Sequence, residues 1–336
     1  MVGNRDIIVI GASAGGVEAL RRLALALPPD LPAAVFVVIH LAPDVESGFA
    51  EILGRAGNLP AVWAQDGRPF ERGRIYVAPP DRHLLLERDR VRLSNGPREN
   101  RARPAIDPLF RSAAIHFGPR AIGVVLTGML SDGTAGLHAV KRCGGVAVVQ
   151  DPADARSPSM PLSALRHVAV DHCVPLSEMG ALLPRLAAEP GGEIMEVPEE
   201  LQAEHEMLLR EGIGIDAMDR VGRRAALVCP ECGGALWSVE SGGLRRYRCH
   251  VGHAYAAPNL LAAQSETVRY ALWNVLRTHE ERTELMRQMA ADARERGRHH
   301  GAAMWEARVR EYEQYAAAVR DLIRSERTPQ ADEAAE

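Results

Sequence analysis

Residues 7–16 read IIVIGASAGG, a run of branched apolar residues that ends in glycines around a single hydroxyl, Ser13. The run predicts a buried β-strand, and the apolar spacing of residues 17–27 predicts a helix directly after it. GASAG fits the pattern G-x-S-x-G, in which a sharp strand-to-helix turn presents a serine at the carboxyl edge of a sheet. Ser13 is therefore a candidate nucleophile, while a phosphate-binding turn and a simple helix cap stay open as alternatives at this point.

The same alternation of strands and helices continues to about residue 186. Further strands are predicted by the apolar runs AAVFVVI, RIYVA, AIGVVLT, GVAVV and VAVDHCV. Strands that are apolar almost throughout suit a parallel sheet that is covered on both faces. We therefore predict an α/β fold with a three-layer, doubly wound and mainly parallel sheet, and a hairpin within residues 77–93 at the edge of that sheet.

Two more polar side chains stand where predicted strands end. His40 closes the run VFVVIH, and Asp132 lies in the loop GMLSDGTAG that follows AIGVVLT. The carboxyl ends of parallel strands meet at one edge of a sheet, so Ser13, His40 and Asp132 should face one crevice. Such a set can supply a nucleophile, a general base and an orienting carboxylate. A nucleotide-binding oxidoreductase is a weaker alternative, because the order G-x-G-x-x-G is absent.

Several longer stretches resemble one enzyme family. They are GASAGGVEAL at 11–20, RPAIDPLFRSAA at 103–114, LTGMLSDGTAGL at 126–137 and VVQDPADARSPSMP at 148–161. In this order, they resemble the catalytic domain of the CheB-type chemotaxis protein-glutamate methylesterases over roughly residues 5–186. Enzymes of that family hydrolyse glutamyl methyl esters on chemoreceptors, and members also deamidate glutamine there.

The resemblance implies a role for each site residue. Ser13 would be the nucleophile, His40 the base and Asp132 the residue that orients the histidine, and the backbone amide of Met129 would help to bind the oxyanion. Relatives commonly begin with a phosphorylatable receiver domain, whereas the first predicted strand begins here at residue 6. We therefore expect no control by a receiver domain within this sequence.

Three of the five cysteines cluster late in the chain. Cys229 and Cys232 form C-x₂-C, and Cys249 and His253 form C-x₃-H after sixteen further residues. Two close pairs at this separation are typical of tetrahedral Zn²⁺, and four protein ligands leave no open position, which predicts a structural and not a catalytic metal. His250 competes for the fourth position, but a neighbour of a ligand in a knuckle points elsewhere, so we favour His253. The pattern also resembles the tail of some stand-alone members of the family.

We divide the chain into five parts. They are a catalytic domain at 1–188, a linker with a short helix at 189–225, a zinc-ribbon-like module at 226–256, an α-helical hairpin at 257–326 and a disordered tail at 327–336. Apolar residues in the hairpin repeat at alternating spacings of four and three, which predicts a seam that needs a partner. Packing within the chain, self-association and contact with a regulatory protein are the alternatives.

Composition narrows the function further. The formal net charge of −4 and the acidic second part of the chain argue against nucleic acid as a partner. No stretch reaches the roughly 18 apolar residues of a membrane span, so we expect no membrane insertion and a cytoplasmic location. We predict an esterase that acts on a methylated chemoreceptor or another methyl-glutamyl protein. The alternative is a non-enzymatic adaptor that binds partners through the zinc module and the helices.

Overall fold

The structure is a computed structural model, and it describes residues 3–40, 48–209, 215–241 and 243–325. Described strands are β1 (Ile7–Ala12), β2 (Ala34–Ile39), β3 (Ala61–Trp63), β4 (Ile75–Val77), β5 (His83–Leu86), β6 (Val91–Ser94), β7 (Ala121–Val125), β8 (Val146–Gln150), β9 (His172–Val174), β10 (Arg223–Val228), β11 (Ala235–Ser241), β12 (Leu244–Cys249) and β13 (Ala254–Ala256). Described α-helices are α1 (Gly16–Ala26), α2 (Phe49–Ala56), α3 (Ile106–Phe117), α4 (Thr134–Arg142), α5 (Ser159–His167), α6 (Leu176–Ala188), α7 (Glu199–Leu209), α8 (Ile215–Val221), α9 (Ala257–Glu295) and α10 (His299–Ser325).

Seven strands form a parallel sheet in the order β3-β4-β2-β1-β7-β8-β9. The chain builds outward from β1 in one direction and from β7 in the other, so the topological switch point lies between these two central strands. The predicted doubly wound α/β fold is therefore confirmed. The crevice outside the carboxyl ends of β1 and β7 is the place where such sheets bind ligands.

Helices cover both faces of the sheet and bury its apolar side chains. On one face, α1, α2 and α6 contribute residues such as Leu20 and Met179 to the core. On the other face, α3, α4 and α5 contribute residues such as Phe110 and Val140. Because both faces are buried, the strands carry apolar residues at nearly every position, which explains the continuous runs in the sequence.

The predicted hairpin forms, but its place at the edge of the large sheet was wrong. Strands β5 and β6 pair with each other as a separate two-stranded antiparallel sheet. Leu84, Leu86 and Val91 of this hairpin join the core around α3, so the hairpin covers a helix and does not extend the sheet. The edge position belongs to β3, whose three residues are too few for the pattern to reveal.

Strands β10 to β13 form a second, antiparallel sheet, and residues 1–260 constitute one compact unit. Buried charges connect this small sheet to α3, to α7 and to the loop before α3. Glu99 accepts hydrogen bonds from Arg111 at 2.7 Å and from Arg248 of β12 at 2.8 Å. Glu204 of α7 accepts from Arg246 of β12 at 2.7 Å and from Arg248 at 3.1 Å. Each of these charges is paired, which buried ions require.

Residues 261–336 constitute the second compact unit. Most of α9 and all of α10 lie in it and form the predicted hairpin, in which Thr283, Met286 and Ala316 are buried and Arg287 pairs with Glu313 across the two helices. The predicted disordered tail at 327–336 lies outside the described residues. Among the helices that the structure describes, none is both long enough and apolar enough to span a bilayer.

Candidate active site

Ser13 follows β1 directly, at the switch point of the sheet. Its backbone amide donates to the carbonyl of Thr127, the second residue after β7, which holds the turn after β1 against the loop after β7. Helix α1 begins with Gly15 as its N-cap and has no side-chain cap. The helix-cap alternative for Ser13 is therefore wrong: its hydroxyl lies 3.1 Å from His40 Nδ1 instead.

His40 follows β2 and lies between Ser13 and a carboxylate. Its Nε2 is 2.8 Å from Asp132 Oδ2, while Nδ1 faces the Ser13 hydroxyl. An ionised carboxylate only accepts hydrogen bonds, so Nε2 carries the proton and Nδ1 keeps the lone pair toward Ser13. About a quarter of the His40 side chain is exposed, whereas Asp132 is 1% exposed. The imidazole can therefore be reached from solvent while its partner cannot.

Asp132 is held by several donors besides His40. Oδ2 accepts from the backbone amide of Ile106 at 2.8 Å, and Oδ1 accepts from the amide of Gly133 and from Asn100 Nδ2, both at 2.9 Å. Burial alone would raise the pKa of Asp132, but the hydrogen bond and charge of His40, with the donors of Ile106 and Asn100, outweigh burial and lower that pKa. The carboxylate stays ionised and its orientation is fixed.

Met129 lies in the loop between β7 and Asp132, and its side chain is half exposed. The loop approaches Ser13 closely at Gly128, where an added Cβ would lie 3.0 Å from Ser13 Cβ and 2.0 Å from Met160 Sδ. The Gly128 amide donates to the carbonyl of Ser157, and the Met160 amide donates to the carbonyl of Gly128. The segment after β8 thus holds the loop that carries Met129 next to Ser13.

Asn100 and Asp107 also contact this site, and the sequence patterns identified neither of them. Asn100 is buried, and its Nδ2 lies 2.8 Å from Asp107 Oδ2 as well as 2.9 Å from Asp132 Oδ1. Burial and the charge of Asp132 both raise the pKa of Asp107, which favours the protonated form of this carboxyl. Both residues lie in or beside the stretch RPAIDPLFRSAA, but neither closes a strand, which was the signal that identified His40.

The four predicted metal ligands come together at the end of the small sheet. The ligand atoms of Cys229, Cys232, Cys249 and His253 all lie within 4.8 Å of one another, and the group could hold a metal ion. Cys232 Sγ is 3.7 Å from Cys249 Sγ, which is 3.6 Å from His253 Nδ1. Sulfur atoms about 2.3 Å from a tetrahedral Zn²⁺ stand about 3.8 Å apart, so the donor set and its size fit zinc.

His253 is oriented toward this cluster by a carboxylate behind it. Its Nε2 lies 3.3 Å from Glu231 Oε2, and the Tyr255 hydroxyl donates to Glu231 Oε1 at 3.0 Å. A carboxylate on the far nitrogen of a histidine is the usual arrangement around protein-bound zinc, because it fixes the ring and its tautomer. The His250 ring, in contrast, lies outside the cluster, against Gly234 and 6.4 Å from the Trp237 ring.

Residues 8–183, slightly more than half of the chain, match the family model described as CheB methylesterase. A curated relative from Burkholderia lata, named protein-glutamate methylesterase/protein-glutamine glutaminase 3, is 40% identical over 201 residues, which cover 59% of this chain and 55% of the relative. A relative from Leptospira interrogans, whose name contains the same two activities, is 39% identical over 54% of this chain and 95% of its own length. The chain spans slightly more than half the length of the Burkholderia lata relative, and the same holds for relatives from Anaeromyxobacter dehalogenans and Burkholderia pseudomallei.

The catalytic domain of the Thermotoga maritima CheB methylesterase has a similar solved structure. It aligns with a TM-score of 0.53 and 32% identity, and the alignment covers all of that domain and 55% of this chain. The similarity therefore includes the seven-stranded sheet and its helices. The names of these relatives are names of enzymes, which gives the adaptor hypothesis no support.

Proposed function

This chain belongs to the CheB methylesterase family, and from that premise we propose that it is a serine hydrolase that removes methyl esters from glutamate side chains of methyl-accepting chemoreceptors. The single observation that carries the proposal is the position of His40, with Nδ1 3.1 Å from Ser13 Oγ and Nε2 2.8 Å from Asp132 Oδ2. These distances suit proton transfer from the hydroxyl to an imidazole whose other nitrogen is held by an ionised carboxylate.

In the proposed reaction, His40 Nδ1 takes the proton of Ser13 as Oγ attacks the ester carbonyl carbon. The tetrahedral intermediate collapses when the imidazolium returns that proton to the methoxide oxygen, and methanol leaves. A glutamyl ester of Ser13 remains. Water, deprotonated by the same nitrogen, then attacks this ester and releases the glutamate carboxylate and the serine hydroxyl.

The backbone amide of Met129 is the proposed donor to the oxyanion, supported by the close approach of the loop at Gly128 to Ser13. The first turn of α1 begins three residues after Ser13, at Gly16, and adds the positive end of its dipole. Loss of one oxyanion donor costs about 3–4 kcal/mol of barrier in comparable enzymes, so this loop matters nearly as much as Ser13 and His40.

A glutamine side-chain amide presents the same carbonyl geometry as a glutamyl methyl ester, with ammonia in place of methanol as the leaving group. We therefore propose deamidation as a second activity, in line with the names of the relatives. Surfaces outside the active site determine which methyl-glutamyl protein binds there. We propose a chemoreceptor, because it is the substrate that the family favours.

We propose a structural Zn²⁺ bound by Cys229, Cys232, Cys249 and His253. The donor types, their separations and the carboxylate behind His253 support this assignment. Bound there, the ion would cross-link the β10–β11 and β12–β13 turns at one end of a small sheet that has little core of its own. It has no part in the ester chemistry, since four protein ligands leave no position for a substrate.

The division of the chain into a catalytic domain, linker, ribbon, hairpin and tail is retained as a proposal. A cytoplasmic location is also a proposal. We further propose that the C-terminal helices mediate self-association or contact with a regulatory protein. Exposed apolar side chains on α9, among them Trp273 and Leu285, support the idea that these helices have a partner.

The test is to incubate the purified chain with methylated chemoreceptor and to measure the methanol released, with mass spectrometry of the receptor peptides. The Ser13→Ala variant should release none above the uncatalysed rate, because the attacking oxygen is gone. Ser265→Ala, which removes an exposed hydroxyl from α9, is the matched control and should behave as wild type. An active Ser13→Ala variant would exclude the proposed mechanism.

A further inference from the structure

The side chain of Asn100 joins the Asp132 carboxylate to the small sheet. Its Nδ2 donates to Asp132 Oδ1 at 2.9 Å and to Asp107 Oδ2 at 2.8 Å, while its Oδ1 accepts from the backbone amide of Ala256 in β13 at 2.9 Å. Both amide protons and the amide oxygen are thus in use. Such a buried side chain has one orientation, because a flipped amide would aim its oxygen at the ionised Asp132 carboxylate and its protons at the N–H of Ala256.

The backbone of Asn100 is held by the same strand. Its amide donates to the carbonyl of Ala254 at 2.7 Å, and the preceding residue, Glu99, forms a parallel bridge with Ala254. Asn100 adopts a φ of +50°, a left-handed conformation that asparagine tolerates better than most residues. Gly252 packs against Pro97 with a φ of +115°, so a side chain there would be strained and would meet the proline.

A second contact ties the same loop to the residues after β13. The Ser131 hydroxyl, next to Asp132 in the chain, donates to Asn259 Oδ1 at 2.7 Å, and both residues are buried. Asp132 is therefore fixed on one side by backbone amides of its own loop and of α3, and on the other by side chains that lead to residues 254–259. Asn100 on Oδ1 and the amide of Ile106 on Oδ2 together hold the carboxylate with Oδ2 toward His40 Nε2.

We propose that Asn100 is a positioning residue for ester hydrolysis, which holds the Asp132 carboxylate in line with His40 Nε2 through a hydrogen bond to the other carboxylate oxygen. This inference rests on the proposed function, since it assigns Asn100 a part in that reaction. Asn100 does not touch the reacting atoms. It acts through Asp132, so its substitution should lower kcat and leave KM, which reflects substrate affinity, nearly unchanged.

Two substitutions separate this role from a merely structural one. Asn100→Gly removes the side chain and suits the positive φ. Asn100→Asp keeps the size and the oxygen that accepts from Ala256, but replaces the two N–H donors with a carboxyl group that repels Asp132 when ionised. Ser112→Ala is the matched control, because Ser112 is also buried and hydrogen-bonded within α3 and to β5, away from Asp132.

Two readouts are needed. The first is methanol release from methylated receptor, with kcat and KM separated. The second is the rate at which a fluorophosphonate probe labels Ser13, which reports the activated hydroxyl whatever the natural substrate is. We expect kcat and the labelling rate to fall about 10- to 100-fold in Asn100→Gly with little change in KM, as for other small misplacements of catalytic groups. In Asn100→Asp the loss should grow as pH rises through the neutral range.

The outcomes are distinct. Labelling of Ser13 in the wild type without methanol release would contradict the proposed substrate and leave the Asn100 comparison valid through the probe. Wild-type labelling rates in both Asn100 variants would overturn the inference, as would a loss that Ser112→Ala matches at equal thermal stability. A wild type that neither labels nor releases methanol would overturn both proposals.

Discussion

Asp132 receives backbone donors on both carboxylate oxygens, from Ile106 on Oδ2 and from Gly133 on Oδ1. An asparagine at this position would place its NH₂ group against an N–H in either orientation. We therefore expect Asp132→Asn to lower kcat by about 10⁴-fold, the size of the effect when an asparagine replaces the aspartate of a serine-protease triad and the histidine adopts the wrong tautomer. Initial rates of methanol release at saturating substrate measure this loss.

Asp89→Asn is the control for that experiment, because Asp89 is a mostly exposed carboxylate on the β5–β6 turn, paired with Arg90. It should keep the wild-type rate. If Asp132→Asn kept a rate within tenfold of wild type, His40 would not depend on the carboxylate for its tautomer, and the role assigned to Asp132 would be wrong.

Among the elements, the loop after β7 depends on the absence of a side chain at Gly128. A Cβ there would meet Met160 Sδ at 2.0 Å and Ser13 Cβ at 3.0 Å. We expect Gly128→Ala to displace the loop that carries Met129 and to lower kcat by about 10-fold or more, because small shifts of donors that stabilise the oxyanion are costly.

Steady-state kinetics check this against Gly192→Ala, since a Cβ at Gly192 meets nothing within 4 Å. The control should match wild type in both rate and thermal stability. If Gly128→Ala left kcat unchanged, the Met160 side chain alone would have moved to make room for the new Cβ. The loop would then not position the Met129 amide as the oxyanion donor.

Helix α7 contributes Glu204, whose carboxylate pairs with two arginines of β12. Burial alone would raise the pKa of Glu204, but the charges of Arg246 and Arg248 and the hydrogen bond from Arg246 outweigh it and lower the pKa to about 2. A lowered pKa stabilises the fold above the ordinary value of a glutamate, and that stability is lost as pH falls from there toward 2.

We expect Glu204→Gln to destabilise the first unit by about 3–5 kcal/mol at neutral pH, since it leaves buried arginine charges without their partner. Between neutral pH and pH 3 the variant should lose less stability than wild type. Denaturant unfolding at several pH values measures both effects. Glu196→Gln, which changes an exposed carboxylate in the segment before α7, should change neither. Parallel pH profiles for wild type and Glu204→Gln would refute the assignment.

Across the whole molecule, the parts that the sequence predicts are those that local patterns encode. Continuous apolar runs indicate a buried parallel sheet, and the ends of such strands must meet at one edge, so the sequence alone places Ser13 and His40 together. The C-x₂-C and C-x₃-H spacings likewise follow from the geometry of knuckles, and they identified the four residues that the structure brings together.

The features that the sequence does not reveal depend on distant contacts. Asn100 reaches Ala256, which is 156 residues further along the chain, and no local period or spacing marks that contact. The hairpin of β5 and β6 has the predicted pairing, but its packing on α3 and not at the sheet edge depends on contacts between residues far apart in the sequence. Glu204 and its arginines are charged residues that a pattern assigns to the surface.

These contacts make the small sheet part of the structure around Asp132, and this predicts an effect of metal removal on ester hydrolysis. Loss of Zn²⁺ should unfold or loosen residues 249–256, because a sheet of this size has little core of its own. Asn100 would then lose its partners Ala254 and Ala256. We expect Cys249→Ser, or chelation of the wild type, to lower both thermal stability and the rate of methanol release.

Cys173→Ser is the matched control, because Cys173 is an exposed thiol on β9, outside the metal cluster. It should keep its zinc, its stability and its rate. The decisive comparison is the double variant Asn100→Gly/Cys249→Ser. If the metal acts on Asp132 through Asn100, loss of zinc should lower the rate of methanol release little further than Asn100→Gly alone. The reason is that two changes along one chain of contacts are not additive. Full esterase activity in zinc-free protein would show that the small sheet and the reaction are independent.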